Sequence, residues 1–238
     1  MKFSLNVDHV AVLRNARMES QPDPVTYALM AEQFGVDGIV VHLREDRRHI
    51  TERDVRLLRE LITTKLDLEM AAVDEIVEIA CDVQPELITL VPEKREELTT
   101  EGGLNVLDNL EHLRDTIKTL HAAEIPVSLF VEPDINHIDA SADIEADFIE
   151  IHTGVYANAA SDDEMYDELE AIRLAARHAK KIGLGVNAGH GLNYTNIKDF
   201  LTITDIDEVS IGQAVIARSI FVGVEQAVKE MMNLIPSK

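Results

Sequence analysis

Residues 38–50 read GIVVHLREDRRHI, an apolar run that ends in a histidine and then releases five charged residues and a second histidine. Gly38 to Val41 form the short stretch, buried on both faces, that a parallel sheet requires. Arg44, Glu45, Asp46, Arg47 and Arg48 cannot continue it into a core. The segment therefore reads as a strand, Gly38 to His42, that opens into a polar loop, and chemistry is expected at the strand's C-terminal end.

Outward from this stretch the same unit recurs. Phe3 to Asp8 is strand-like, and Asp23 followed by Pro24 starts a helix to about Phe34. After the decisive strand, Thr51 is the expected N-cap of a helix to Thr64. Leu66 to Met70 and Asp74 to Ile79 make a third strand and helix, and Glu86 to Val91 a fourth strand before the long loop PEKREELTTEGGL. Leu104 to Ala123 is helical in period, Pro126 to Glu132 strand-like and Ile135 to Ala142 a short helix. Phe148 to His152 is the sixth strand, followed by the polar loop TGVYANAASDD and a helix from Glu164 to Lys181. Gly185 to Ala188, a helix from Asn193 to Leu201, Glu208 to Ile211 and a closing helix from Ala214 to Ile235 complete the chain. Eight alternating pairs in 238 residues predict one closed (β/α)8 TIM barrel domain over residues 1–238. An open doubly wound sheet is the alternative, weakened because no GxGxxG follows the first strand.

Composition narrows the function. The single cysteine, Cys81, excludes an intrachain disulfide and any zinc site built on several thiolates, as expected of a reduced cytoplasm. No apolar run approaches the roughly 20 residues that span a bilayer, and Asp8 and His9 stand where a signal peptide needs apolar residues. A formal net charge of -22 argues against nucleic acid or an anionic membrane as partner. Against that acidity Arg14, Arg17, Arg44, Arg47 and Arg48, in the loops expected after the first two strands, are the local cations an anionic ligand needs.

If the barrel closes, its strand ends converge on one mouth. They are Asn6, Asp8 and His9; His42 and Arg44; Glu69; Pro92 to Lys94; Glu132; Glu150 and His152; Asn187 and His190; Ser210 and Gly212. Such histidines and carboxylates suit proton transfer, and His42, Glu69 and His190 form an acid–base set that needs no metal. NVDHV resembles in outline the strand ends of metal-dependent hydrolases, but no HxH or HExxH occurs. The glycines of NAGHG (187–191) and SIGQA (210–214) suit phosphate binding on backbone N–H groups. Arg44, Arg47, Arg48 and His49 are placed to hold a second anion across the mouth, and Pro92 to Leu104 to close as a lid.

These residues resemble one family over the whole chain. NVDH, LRNAR, PDP, VHLREDRRHI, LEMA, LVPEKR with TTEGGL, FIEIHTG and VNAGHGL occur in the order found in pyridoxine 5'-phosphate synthases. The resemblance implies a TIM barrel with additional short helices and a homo-octamer. It implies two small phosphorylated substrates, 3-amino-2-oxopropyl phosphate and 1-deoxy-D-xylulose 5-phosphate, condensed with release of phosphate and water, and neither metal nor organic cofactor. It assigns Asn6, Arg17, Gly191, Gly212 and Gln213 to the amino-ketone phosphate, and Asp8, His9, Arg44, His49 and Thr99 to the deoxyxylulose phosphate. His42 and Glu69 become proton acceptors, His190 the proton donor and Glu150 the transition-state stabiliser. Two positions depart from the family pattern: Gln213 stands where histidine is usual, and Met18 where glycine is. A metal-dependent aldolase or hydrolase and a non-catalytic sugar-phosphate sensor are the competing readings.

Overall fold

The computed structural model describes residues 1–93 and 102–235. In chain order the elements are β1 (Lys2–Asn6), α1 (Asp8–Asn15), α2 (Pro24–Gln33), β2 (Gly38–His42), α3 (Glu52–Leu61), β3 (Lys65–Met70), α4 (Asp74–Val83) and β4 (Leu87–Leu90). A 3-10 turn, Leu107–Asn109, leads into α5 (Leu110–Ala122), β5 (Val127–Val131), α6 (Ile135–Asp143), β6 (Phe148–His152), α7 (Gly154–Ala157) and α8 (Asp162–Lys181). β7 (Gly185–Gly189), α9 (Ile197–Phe200), β8 (Glu208–Ile211), α10 (Gln213–Val222) and α11 (Val224–Leu234) follow. The eight strands are parallel and close in order, β8 pairing with β1 through Ser4 and Ser210.

Local chemistry starts the helices where the sequence marks them. The Asp23 carboxylate accepts from the Val25 N–H at 2.9 Å, with Pro24 in the first turn of α2. Thr51 and Asp54 form a reciprocal capping box on α3. Ser161 caps α8, which has acids at 162–164 in its first turn and bases at 178, 180 and 181 in its last, as the helix dipole favours.

The outward faces of the strands carry the core. Phe3, Leu5, Ile39, Val41, Leu66, Leu68, Ile88 and Leu90 are fully buried under the helix ring, each contributing about 1.5–3 kcal/mol of burial. Barrel lumens are commonly filled by branched apolar side chains. Here Ser4, Asp67, Thr89, Ser128, Asn187 and Glu208 alternate with that apolar set and are buried. The lumen below the mouth is therefore polar.

Five expectations change. Asp8 does not end a strand: β1 stops at Asn6, and Asp8 begins α1, whose buried face includes Val10, Ala11 and Arg14. The helix expected from Leu104 starts at Leu110 after the 3-10 turn, and the one expected from Asn193 shortens to Ile197–Phe200. The polar loop after β6 holds a turn of helix, Gly154–Ala157. The closing helix breaks at Gly223, where φ is 84°, a conformation that costs glycine little.

Candidate active site

The C-terminal ends of the strands enclose a cavity of about 380 Å³. Asn6, Asp8, His9, His42, Arg44, His49, Glu69, Glu150, His190, Gly191, Gly212 and Gln213 all line it. Arg17 does not: it lies exposed beyond α1. Thr99 and Lys94 lie outside the described residues, as does most of the expected lid.

On one wall Asp8 ties β1 to β2. Its Oδ1 accepts from the His42 backbone N–H at 2.9 Å and its Oδ2 from Asn6 Nδ2 at 3.1 Å, while its own N–H donates to Asn6 Oδ1 at 2.9 Å. His42 and Glu69 are register partners on β2 and β3. One nitrogen or carboxylate oxygen from each of Asp8, His42 and Glu69 lies within 4.8 Å of the others. A divalent cation would fit such a spacing, and the same three groups lie close enough together to pass a proton to a bound molecule.

The His42 ring is oriented by Glu93, a residue whose role the sequence did not disclose. Glu93 Oε1 lies 2.8 Å from His42 Nε2, and its Oε2 accepts from the Glu45 N–H at 3.1 Å and lies 3.9 Å from Arg44 Nη2. Burial would raise Glu93, yet the His42 bond holds its carboxyl below the usual range. His49 sits with its ring centre 6.0 Å from that of His42. Burial, with the charges of His42, Arg44 and His9, lowers its pKa. Arg44 and His49 thus remain at the cavity, whereas Arg47 turns to Glu52 and Glu75 and Arg48 bonds Asp46. Arg14 leaves the expected anion-binding group altogether: both its Nη atoms bond the Asp54 carboxylate, at 2.9 and 2.8 Å.

The opposite wall has its own oriented imidazole. His152 Nδ1 lies 2.9 Å from Glu132 Oε1, which also accepts from the Gly103 N–H at 2.7 Å. The His152 ring packs 5.1 Å from that of His190. His190 takes φ of 81°, in the left-handed region, and its carbonyl accepts from Thr153 Oγ1 at 2.6 Å. Burial, then the charges of His152 and His9, depress its pKa. An anion held nearby would oppose that shift.

Between the walls stand Glu150, which is buried, and Glu69, which is half-buried, with no hydrogen bond to either carboxylate among the described residues. Burial, then Glu150, Asp8 and Asp67, raises Glu69 well above the ordinary range. Burial, then the charge of Asp67, pushes Glu150 up to about 8. These are the conditions under which a carboxyl group exchanges protons near neutral pH. Gly189 makes room for Glu150: a Cβ there would lie 2.3 Å from Glu150 Oε1.

The glycine side of the mouth presents backbone. Gly191 has φ of 83°, and a Cβ on Gly212 would meet the Asn6 carbonyl at 2.9 Å. Gly212 precedes α10, whose first-turn N–H groups suit an anion, and Gln213 is its first residue. Met18, where the resemblance leads one to expect glycine, takes φ of 53°, a region glycine enters at less cost, with a side chain 94% exposed. Asn158 and Asn193 line the cavity too, and nothing in their sequence neighbourhood singled them out. Lys65 and Asp67 had a legible signal, the period-two charges of KLDLE, which places them on the Glu69 face of β3.

Known proteins resemble the chain at two levels. The family model described as pyridoxal phosphate biosynthesis protein PdxJ matches residues 3–237. A pyridoxine 5'-phosphate synthase of Chlorobium phaeobacteroides is 55% identical over 235 residues, covering 99% of this chain and 100% of that protein. A pyridoxine 5'-phosphate synthase of Syntrophobacter fumaroxidans is 53% identical, covering 98% of each. Among solved structures, a thiamine phosphate pyrophosphorylase from Pyrococcus furiosus superposes with a TM-score of 0.61 at 16% identity, covering 98% of this chain and 95% of that one, a likeness of fold alone.

Proposed function

The chain belongs to the pyridoxal phosphate biosynthesis protein PdxJ family, and from that membership we propose how its barrel mouth makes pyridoxine 5'-phosphate. The enzyme acts in vitamin B6 biosynthesis, condensing 3-amino-2-oxopropyl phosphate with 1-deoxy-D-xylulose 5-phosphate and releasing inorganic phosphate and water. The amine condenses with the deoxyxylulose ketone, an acid expels phosphate, and a carbanion closes the ring, which aromatises on losing water. Every step moves a proton or eliminates a group.

The observation that carries the residue assignment is the convergence of Asp8, His42 and Glu69 within 4.8 Å at one wall of a cavity whose far side is built from Gly191, Gly212 and Gln213. His42 and Glu69 accept protons, His190 donates one once the phosphates are bound, and Glu150 stabilises charge at the reacting carbons. Asn6, Gly191, Gly212 and Gln213 receive the amino-ketone phosphate. Asp8, His9, Arg44 and His49 receive the sugar phosphate. Arg17 and Thr99 join these two groups only by family resemblance. General acid–base groups of this kind each contribute on the order of 10²- to 10⁴-fold.

Incubating the protein with both phosphates should yield pyridoxine 5'-phosphate, read by mass spectrometry, and an equivalent of inorganic phosphate. His42→Ala should abolish ring formation with the fold intact by circular dichroism; activity within threefold of wild type removes His42 from the set. Activity lost to a chelator and restored by metal would favour the metal-dependent reading instead. The chain acts as one domain, in the cytoplasm, as a homo-octamer. The exposure of Met18 at 94%, Ile220 at 65% and Phe221 at 84% supports self-association, and sedimentation velocity tests it. Among the described residues no helix is long and apolar enough to cross a membrane.

A further inference from the structure

Beneath Glu69 and Glu150 the lumen holds a cluster that the reaction scheme does not use. Lys65 leaves β3 and crosses the lumen to β8, where its Nζ lies 2.5 Å from Glu208 Oε1 and 3.7 Å from Asp67 Oδ2. Gly38 on β2 clears the path: a Cβ there would lie 2.5 Å from Ser4 Oγ and 3.3 Å from Lys65 Cε. Ser4 Oγ donates to Glu208 Oε1 at 2.7 Å, and Thr89 Oγ1 to Asp67 Oδ1 at 2.9 Å. Asp67 is 1% and Glu208 7% exposed.

Asp67, Glu69, Glu150 and Glu208 therefore share one water-poor lumen. Among the described residues Lys65 is the cation that bonds any of them. Against this single ammonium, burial and mutual repulsion raise Asp67, Glu69 and Glu150. The groups facing the cluster are Ser4 from β1, Thr89 from β4, Glu150 and Asn187 from β6 and β7, Glu208 from β8, and Asp8 above Glu69.

We propose that Lys65 is a positioning residue for the reaction: held by Asp67 and Glu208 on the floor of the lumen, its ammonium sets how many protons Glu69 and Glu150 carry when substrates arrive. This rests on the reading of Glu69 as proton acceptor and Glu150 as stabiliser. A condensation that needs a base and then an acid is served by a carboxyl pair holding about one proton, and the charge below decides that number. Burial and the Asp67 charge raise Glu150, and Lys65 opposes them. Burial would lower Lys65, but Asp67 and Glu208 keep it charged.

The test titrates the buried carboxyls of ligand-free protein by isotope-edited infrared spectroscopy, assigned with Glu69→Gln and Glu150→Gln, beside the pH profile of kcat. Removing the unit charge that acts on Glu150 should move both by about one pH unit. Lys65→Met should move the carboxyl titration and the acidic limb of kcat upward, Asp67→Asn should move both downward, and Lys65→Arg should stay near wild type. The KM of either substrate should change less than kcat. Shifts of the same sign in Lys65→Met and Asp67→Asn, or a fall in kcat with neither limb moved, overturn the proposal and leave the cluster structural. Should Lys65→Met fail to fold, Lys65→Gln decides in its place: an upward shift of the titration supports the proposal and an unmoved titration sinks it. If no variant, wild type included, makes product, the assigned function fails, whereas the infrared titration still answers whether Lys65 governs the pair.

Discussion

Two regions of this molecule bury carboxylates, and they do so with opposite results. Asp54, at the start of α3, is fully buried and bonded by Arg14 through both Nη atoms, by Arg53 at 2.9 Å and by the backbone and hydroxyl of Thr51 at 3.0 Å. Burial alone would raise it, but these bonds, Arg14 first, hold it below the ordinary range. Glu69 and Glu150 in the lumen have burial without such bonds and are raised instead. Burial with partners locks a charge for structure; burial without them leaves a proton that can be exchanged. The difference separates the pin of α1 and α3 from the chemistry at the mouth.

The largest break in this comparison is Asp54→Ala, which leaves Arg14 buried and unpaired. It should destabilise the protein by about 3–5 kcal/mol in urea unfolding at pH 7. Because the folded pKa of Asp54 is lowered, its contribution is present above the unfolded value and is lost as pH falls through the folded one. A cost under 1 kcal/mol would place Asp54 among ordinary surface charges.

The lumen should behave in reverse. Glu150 is raised from 4.5 to about 8, so its stabilising contribution is full below 4.5 and is lost as pH rises through about 8. Glu150→Gln should therefore stabilise the fold by about 2–4 kcal/mol at pH 9 while lowering kcat, and give little stability at pH 4. Equal stability of the two proteins at pH 9 would mean Glu150 is not a strained acid. Gly189→Ala sharpens the same point, since its Cβ would crowd Glu150 Oε1. A loss of about 1–3 kcal/mol is expected, shrinking in a Glu150→Ala background. Additive losses would show that the glycine answers to something else.

The smallest effect is at the anion side of the mouth. On the proposed assignment, in which backbone N–H groups hold the phosphate, Gln213→His should tighten amino-ketone phosphate binding by about 0.5–1.5 kcal/mol. The gain should grow below about pH 6.5, where an imidazole is protonated. Calorimetry at pH 6 and pH 8 with no difference between the proteins would mean that side chain does not meet the phosphate.

Much of this was legible in the chain itself. The runs Gly38–His42, Phe148–His152 and Glu208–Ile211 are bounded in the structure as their apolar patterns and following polar residues predict. The reason is local: strand alternation, caps and turn residues act within a few positions. The barrel in turn brought His42, Glu69, Glu150 and His190 to one cavity, since parallel strands present their ends together. Tertiary structure alone decided the fate of the charges. Arg14 is a structural pin because Asp54 meets it 40 residues away, and Lys65 joins the lumen because Glu208 meets it 143 residues away across a gap left by Gly38. Charge carries no periodic signature of its partner: a side chain's protonation and purpose are set by the groups that surround it after folding, and those come from anywhere in the chain.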